Sequence, residues 1–175
     1  SKNKTRLIGK LSPIPIASVN DLFREGYQLP LPKMHNVIPA DYVLDHSKKR
    51  VALTFDDGPH EKVTPQVLDI LKKYDAKATF YVLGQKVQQN PQLAKRIIEE
   101  GHEIGNHTWS HPNLVTLSDE QILSEYNRTS EAITAATGAL PSSFRPPYGS
   151  SNDKVASLIP LKGVLWSIDT LDWKH

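Results

Sequence analysis

The sequence predicts a parallel α/β fold, and three observations carry that prediction. From residue 48 onward, short β-prone apolar runs alternate with amphipathic helical stretches, as when strands are joined by crossover helices. Ionisable residues gather directly after several of those runs, and a parallel barrel builds its site from the loops after its strands. The chain has 175 residues, 38% hydrophobic and 23% charged. That is ordinary for a globular domain with a sizeable core.

Residues 1–47 read as a separate, loop-rich segment. Lys2, Lys4, Arg6 and Lys10 make its start basic, and Pro13, Pro15, Pro30, Pro32 and Pro39 interrupt any long helix. A short helix is expected over 19–24. Residues 48–175 form the regular domain. The run VALTF at 51–55 reads as a buried strand. Thr64 offers a helix N-cap with Pro65 behind it, and Val67, Ile70, Leu71 and Tyr74 follow at helical spacing. ATFYVL at 78–83 is a second strand. Residues 91–100 are a helix closed by Gly101. Residues 103–106 give a third strand. Ser118 and Gln121 make a capping box for a long helix carrying Ile122, Tyr126 and Ile133, ending at Gly138. A short strand at 143–145, a helix at 153–158 and a strand at 163–168 complete the alternation.

The bulk numbers exclude several functions. A formal charge of +2 gives no ground for nucleic-acid binding, and at most assists approach to an anionic surface such as a bacterial wall. The absence of cysteine rules out disulfides, thiolate metal ligands and a cysteine nucleophile. No apolar run approaches the roughly 18 residues of a membrane span, and no signal-peptide core is visible.

Four segments bring polar chemistry to the strand ends. Asp56 and Asp57 follow the first strand, and Gly58-Pro59 turns the chain there. On an extended backbone adjacent side chains point opposite ways, so one carboxylate can bind a metal while the other addresses a different atom. The plainer reading is a solvated Asp-Gly turn. His107 and His111 are four residues apart, a spacing that sets two imidazoles on one side of a helical turn. The zinc-protease motif needs Glu after the first His, and Thr108 stands there. Two surface histidines are the plainer alternative. Arg145, in a loop stiffened by Pro146 and Pro147, can orient a carboxylate, and a fixed N–H at Tyr148 can stabilise an oxyanion. A rigid structural turn is the alternative. Asp169 and Asp172 flank the last strand end beside Trp173, where a capped loop with a packed tryptophan is the alternative. Trp109 is a candidate for lining a sugar site. Trp166 is expected in the core, and His102 is expected to be structural.

TFDDGP at 54–59, HTWSH at 107–111, RPPYG at 145–149 and DTLDW at 169–173 together resemble the polysaccharide deacetylases of carbohydrate esterase family 4, in order and spacing. The stretch from Asp57 to Gly84 looks most like the bacterial peptidoglycan N-acetylglucosamine deacetylases. The resemblance covers about residues 48–173. It implies a distorted (β/α) barrel of parallel strands, fewer than eight. It implies one divalent metal, zinc before cobalt or nickel, held by Asp57, His107 and His111. It makes Asp56 the general base, Arg145 its partner, the Tyr148 N–H an oxyanion donor, and Pro147, Tyr148 and Trp173 substrate contacts. Pro147 is also where a hydroxylation at the α-carbon would fall. The implied reaction removes acetyl groups from N-acetylglucosamine units of a polysaccharide such as peptidoglycan or chitin, releasing acetate, outside the cell or at a bacterial wall.

The family also carries a late histidine that protonates the leaving amine. Asp172 resembles the aspartate that tunes it, and His175 lies too close to Trp173 to be that histidine. The expectation is therefore a catalytic domain lacking its C-terminal part, with two alternatives for the remainder: a separate cleaved chain, or a part left out of this sequence. The rival readings are an O-acetyl esterase acting on xylan, a non-haem iron oxygenase with the same ligand types, and an inactive sugar-binding module.

Overall fold

The structure, a computed structural model, describes residues 50–174. The expected helix at 19–24, the segment 1–47 and His175 lie outside the described residues.

Three strands form a parallel sheet in the order β1 (Leu53–Gly58), β2 (Ala78–Val82), β3 (Glu103–Asn106). Helices α1 (Val63–Lys73), α2 (Gly84–Gln89) and α3 (Pro91–Glu99) occupy the first two crossovers. Beyond β3 the chain contributes α4 (Asp119–Thr137) and α5 (Asp153–Leu158). The parallel α/β class is as the sequence predicts. β2 is central and almost wholly buried, which is why ATFYV reads as continuous apolar sequence instead of alternating.

The last two predicted strands shrink to single parallel bridges, Asn106 to Phe144 and Phe144 to Gly163. Their positions continue the sheet past β3, but neither extends. After Phe144 and Arg145 come two prolines, which have no N–H to continue a ladder. After Gly163, the carbonyls of Val164 and Leu165 accept from the Arg145 side chain. Trp166, expected in the core, is 43% exposed.

Three other local expectations need correction. The run at 51–55, expected as a buried strand, begins its pairing only at Leu53 and is partly exposed, Val51 at 75% and Leu53 at 40%. α1 begins at Val63 with no side-chain cap from Lys62. The His60 imidazole takes over part of that task, its Nδ1 accepting from the N–H groups of Lys62 and Val63 at 3.2 and 3.3 Å. Thr64 accepts the His60 N–H instead of capping. The buried stripe of α1 is Thr64, Leu68 and Leu71, rotated from the predicted one, so Ile70 and Tyr74 face solvent. α2 is a helix the sequence reading did not expect, whereas α3, α4 and α5 follow the sequence closely. Ser118 and Gln121 form the capping box, and Gly138 closes α4 at φ 72°. Asn152 caps α5 by accepting the Val155 N–H.

The core has two parts. Leu68, Leu71, Phe80, Val82, Ile97, Ile104 and Ile133 pack the sheet against α1, α3 and α4. Leu114, Ile122, Phe144, Val155 and Ile159 form the second, under α5. Together they hold the C-terminal ends of the strands in register, and the polar residues sit at that end.

Candidate metal centre

β1 does not stop before its acidic pair. Asp56 and Asp57 lie within the strand, where the pairing with β2 slips between Asp56 and Gly58. Asp57 adopts a left-handed backbone, φ 65°, held by Lys86, whose Nζ donates to the Asp57 carbonyl at 2.7 Å. The expected divergence of the two carboxylates therefore does not occur. The kink turns both toward one imidazole: Asp57 Oδ1 lies 3.5 Å and Asp56 Oδ2 3.8 Å from His107 Nε2.

The histidines come from the loop after β3, which is not the helical turn that their spacing suggests. Thr108 and His111 both have left-handed backbones, φ 73° and 64°. The loop is pinned to its neighbours. The His107 N–H donates to the Val82 carbonyl, and the Thr108 carbonyl accepts from Gly84. Fully buried Asn106 accepts the Thr108 N–H and donates to the Tyr126 carbonyl and Ser130 Oγ. This brings His111 Nε2 to 3.5 Å from Asp57 Oδ1. One ligand atom from each of Asp57, His107 and His111 lies within 4.8 Å of the others.

The chemistry of this trio fits a metal ion. His107 Nδ1 lies 2.6 Å from the Arg145 carbonyl. A carbonyl only accepts, so Nδ1 carries the proton. Burial lowers the His107 pKa, with Asp56 the largest opposing influence, so the ring is neutral and its Nε2 presents a lone pair. That lone pair faces the Asp57 carboxylate, two acceptors with no proton between them. A cation resolves that arrangement. Ligands about 2.0–2.1 Å from a tetrahedral zinc stand about 3.4 Å apart, close to the 3.5 Å between Asp57 and each histidine. Asp57 is exposed and His111 half-buried, so the open side faces solvent.

Arg145, 2% exposed, organises the other carboxylate. Nη1 donates to Asp56 Oδ1 at 2.7 Å and to Thr54 Oγ1 at 2.9 Å. Nε and Nη2 donate to the carbonyls of Val164 and Leu165. The guanidinium lies 4.0 Å from the centroid of the Tyr81 ring, whose hydroxyl is 3.0 Å from Ser143 Oγ. Asp56 is held above its ordinary carboxylate pKa by burial, with His107 and Arg145 drawing it back down.

The polysaccharide deacetylase profile matches residues 44–164. The chain belongs to the polysaccharide deacetylase family. It is 50% identical over 129 residues to the peptidoglycan-N-acetylglucosamine deacetylase PgdA of Listeria monocytogenes, covering 74% of this chain and 28% of that protein. It is 46% identical over 142 residues to the peptidoglycan-N-acetylmuramic acid deacetylase PdaC of Bacillus subtilis, covering 80% of this chain and 30% of that one. The solved structure of peptidoglycan deacetylase PdaC from B. subtilis superposes with a TM-score of 0.72 at 46% identity, over 75% of this chain and 65% of that chain. The chain thus spans less than a third of the length of these curated relatives.

Within this polysaccharide deacetylase chain, most of the singled-out residues converge. Asp56, Asp57, His107, His111 and Arg145 form one connected cluster. Tyr148 joins it: its ring packs edge-on to His111, centroids 4.6 Å apart, and its hydroxyl reaches the His111 carbonyl at 3.5 Å. Its left-handed backbone, φ 61°, follows buried Pro147, and among the described residues no backbone acceptor takes its N–H. Asp172 and Trp173 do not join. They lie on an exposed turn, where Asp172 accepts from the Thr170 hydroxyl and Asp169 from the Trp173 indole. Trp109 sits against Arg128, 4.0 Å from the ring centroid, in a groove of about 470 Å³ beside α2 and α4. His102 is structural, its Nδ1 accepting the Ala78 N–H. The sequence reading missed Thr54, Tyr81, Lys86, Asn106 and Glu125. Each acts on a partner distant in the chain, so no local motif marks it.

Proposed function

We propose that this chain carries the metal-binding and water-activating part of a hydrolase that removes N-acetyl groups from amino sugars of a bacterial cell-wall polysaccharide, releasing acetate. The observation that carries this reading is the trio Asp57, His107 and His111 converging on one point beside the Asp56 carboxylate. Two imidazoles and one carboxylate suit zinc, with cobalt and nickel as substitutes. A divalent ion held there would acidify a water and polarise an acetyl carbonyl.

The chain's own residues supply the rest. Asp56 takes the proton of the attacking water. Its raised pKa makes it a stronger base near neutral pH. Arg145 fixes its carboxylate at 2.7 Å, and through its backbone carbonyl also fixes the His107 tautomer. One residue thereby orients both the base and a ligand. The Tyr148 N–H donates to the negative charge that develops on the acetyl oxygen. Pro147 and the exposed Tyr148 ring, which packs on His111, contact the sugar. Trp173 and Asp172 lie on an exposed turn apart from the cluster, so their roles as a sugar contact and as the partner of the proton donor for the departing amine rest on the resemblance of DTLDW alone.

The amide reading is supported by two relatives named for amide-linked acetyl groups, on N-acetylglucosamine and on N-acetylmuramic acid. Both are peptidoglycan deacetylases, which supports placing the reaction at the wall. No helix among the described residues is long and apolar enough to cross a membrane. The test is acetate release, with added Zn²⁺ or Co²⁺, from peptidoglycan, N-acetylglucosamine oligomers and acetylated xylan. Metal-dependent release from the first two, lost in Asp56→Asn, is expected. Release that survives chelation or Asp56→Asn refutes the reading, and release from xylan alone replaces it with the ester one.

A further inference from the structure

We propose that Glu125 is a positioning residue for the metal site, a carboxylate anchor that sets where His111 stands; this rests on the reading of Asp57, His107 and His111 as metal ligands. Glu125 lies on α4 and touches none of those three. It grips the two residues between the histidines. Its Oε2 accepts the N–H groups of Trp109 and Ser110, both at 2.8 Å, and its Oε1 accepts the Ser110 hydroxyl at 2.9 Å.

The loop's hydrogen bonds explain why such an anchor is needed. Each N–H from His107 to His111 has an acceptor. His107 uses the Val82 carbonyl, Thr108 uses Asn106 Oδ1, and His111 uses Thr108 Oγ1 at 3.1 Å. Trp109 and Ser110 follow the left-handed Thr108, which turns two successive N–H groups toward the same point. Such a concavity favours an anion, and Glu125 supplies one. Charged acceptors make shorter and stronger bonds than neutral ones. Without it two N–H groups lose their acceptor together, and the chain between Thr108 and His111 is free to relax from its left-handed turns.

His107 is insulated from that change. Its ring is locked by the Arg145 carbonyl and its N–H by β2. His111 has no comparable lock: its N–H bonds only within the loop and its ring packs on the exposed Tyr148. Loss of Glu125 therefore displaces one ligand of three. It alters the metal's coordination more than the fold, whose core residues lie elsewhere.

The test measures Zn²⁺ affinity by competition with a chelating dye, and the visible absorption of bound Co²⁺, in the full chain. Wild type, Asp57→Ala, Glu125→Ala, Glu125→Gln and Glu125→Asp are compared. Loss of an outer partner of a metal ligand typically costs about 10–100-fold in affinity, and Glu125→Ala is expected in that range, with a changed Co²⁺ spectrum. Glu125→Gln keeps the side-chain length and one acceptor oxygen, and is expected within a few-fold of wild type. Glu125→Asp draws the acceptors back and is expected to be weaker than Gln. A folded Glu125→Ala with wild-type affinity and spectrum, altered only in thermal stability, overturns the proposal. Should Glu125→Ala not fold, equal affinities for Asp, Gln and wild type overturn it. A wild type that binds no metal, or an Asp57→Ala that binds as wild type does, refutes the ligand reading beneath it.

Discussion

Arg145→Lys is the sharpest perturbation of this site, because it keeps the charge and removes the fork. Arg145 donates to Asp56, Thr54 and the carbonyls of Val164 and Leu165. Lysine has one nitrogen and cannot serve the two directions at once. A nitrogen that follows Asp56 abandons both carbonyls and leaves the face of Tyr81. Each neutral bond is worth about 1 kcal/mol and a bond to a charged group about 2 kcal/mol. The loss expected is about 3 kcal/mol, a drop in Tm on the order of 10 °C for a body of this size. Arg145 also lowers the Asp56 pKa, so a looser cation lets that pKa rise. The acid limb of a pH–rate profile then moves to higher pH, because more base is needed to keep Asp56 ionised. Thermal unfolding followed by circular dichroism, with acetate release measured across pH, reads both effects. A variant with wild-type Tm and an unmoved acid limb would show that the guanidinium organises neither the fold nor the base.

Other outcomes follow from the same geometry. Asp57→Ala leaves two histidines to hold a cation, so its Zn²⁺ affinity is expected to fall by more than the ~10–100-fold typical of an outer partner; calorimetric titration checks this. A Cβ on Gly105 would stand 2.5 Å from two carbons of the Tyr81 ring, so Gly105→Ala is expected to push that ring from beneath Arg145 and to cost about 1–3 kcal/mol, seen as lower Tm together with weakened activity. His102 accepts the Ala78 N–H while buried, and burial first, then the charge of Lys77, lowers its pKa below 6.5. The unfolded chain therefore takes up that proton first. Stability is expected to fall as pH drops below about 6.5, and melts of His102→Asn should show a flatter dependence.

The helices were legible where local chemistry decides them. The capping box at Ser118 and Gln121 and the left-handed Gly138 act within one turn, so sequence spacing reveals both ends of α4. The last two strands were misread because their apolar residues match a strand, while the prolines after Arg145 and the use of the Val164 and Leu165 carbonyls by Arg145 decide otherwise. In the site, Asp56, Asp57, His107, His111 and Arg145 stand together while Asp172 and Trp173 lie apart, and the backbone presents the cluster differently from what the spacing suggests. The helical spacing of His107 and His111 is realised by a loop, and the opposed carboxylates of Asp56 and Asp57 are turned the same way. Both differences arise from left-handed residues, whose positions depend on Lys86 and Glu125, contacts far apart in sequence, and on Asn106, which is itself held by α4.

Asp57, Thr108, His111 and Tyr148 all carry positive φ, and none is glycine. A left-handed residue costs roughly 1–2 kcal/mol, so these four together represent on the order of 5 kcal/mol, comparable with the whole net stability of an ordinary domain. The centre is thus a standing load that the rest of the fold carries. Glycine at Thr108 or Tyr148 would relieve part of it. Evolving this chain in the laboratory for thermal resistance alone would therefore erode its chemistry first, and any such selection has to be paired with a screen for metal uptake.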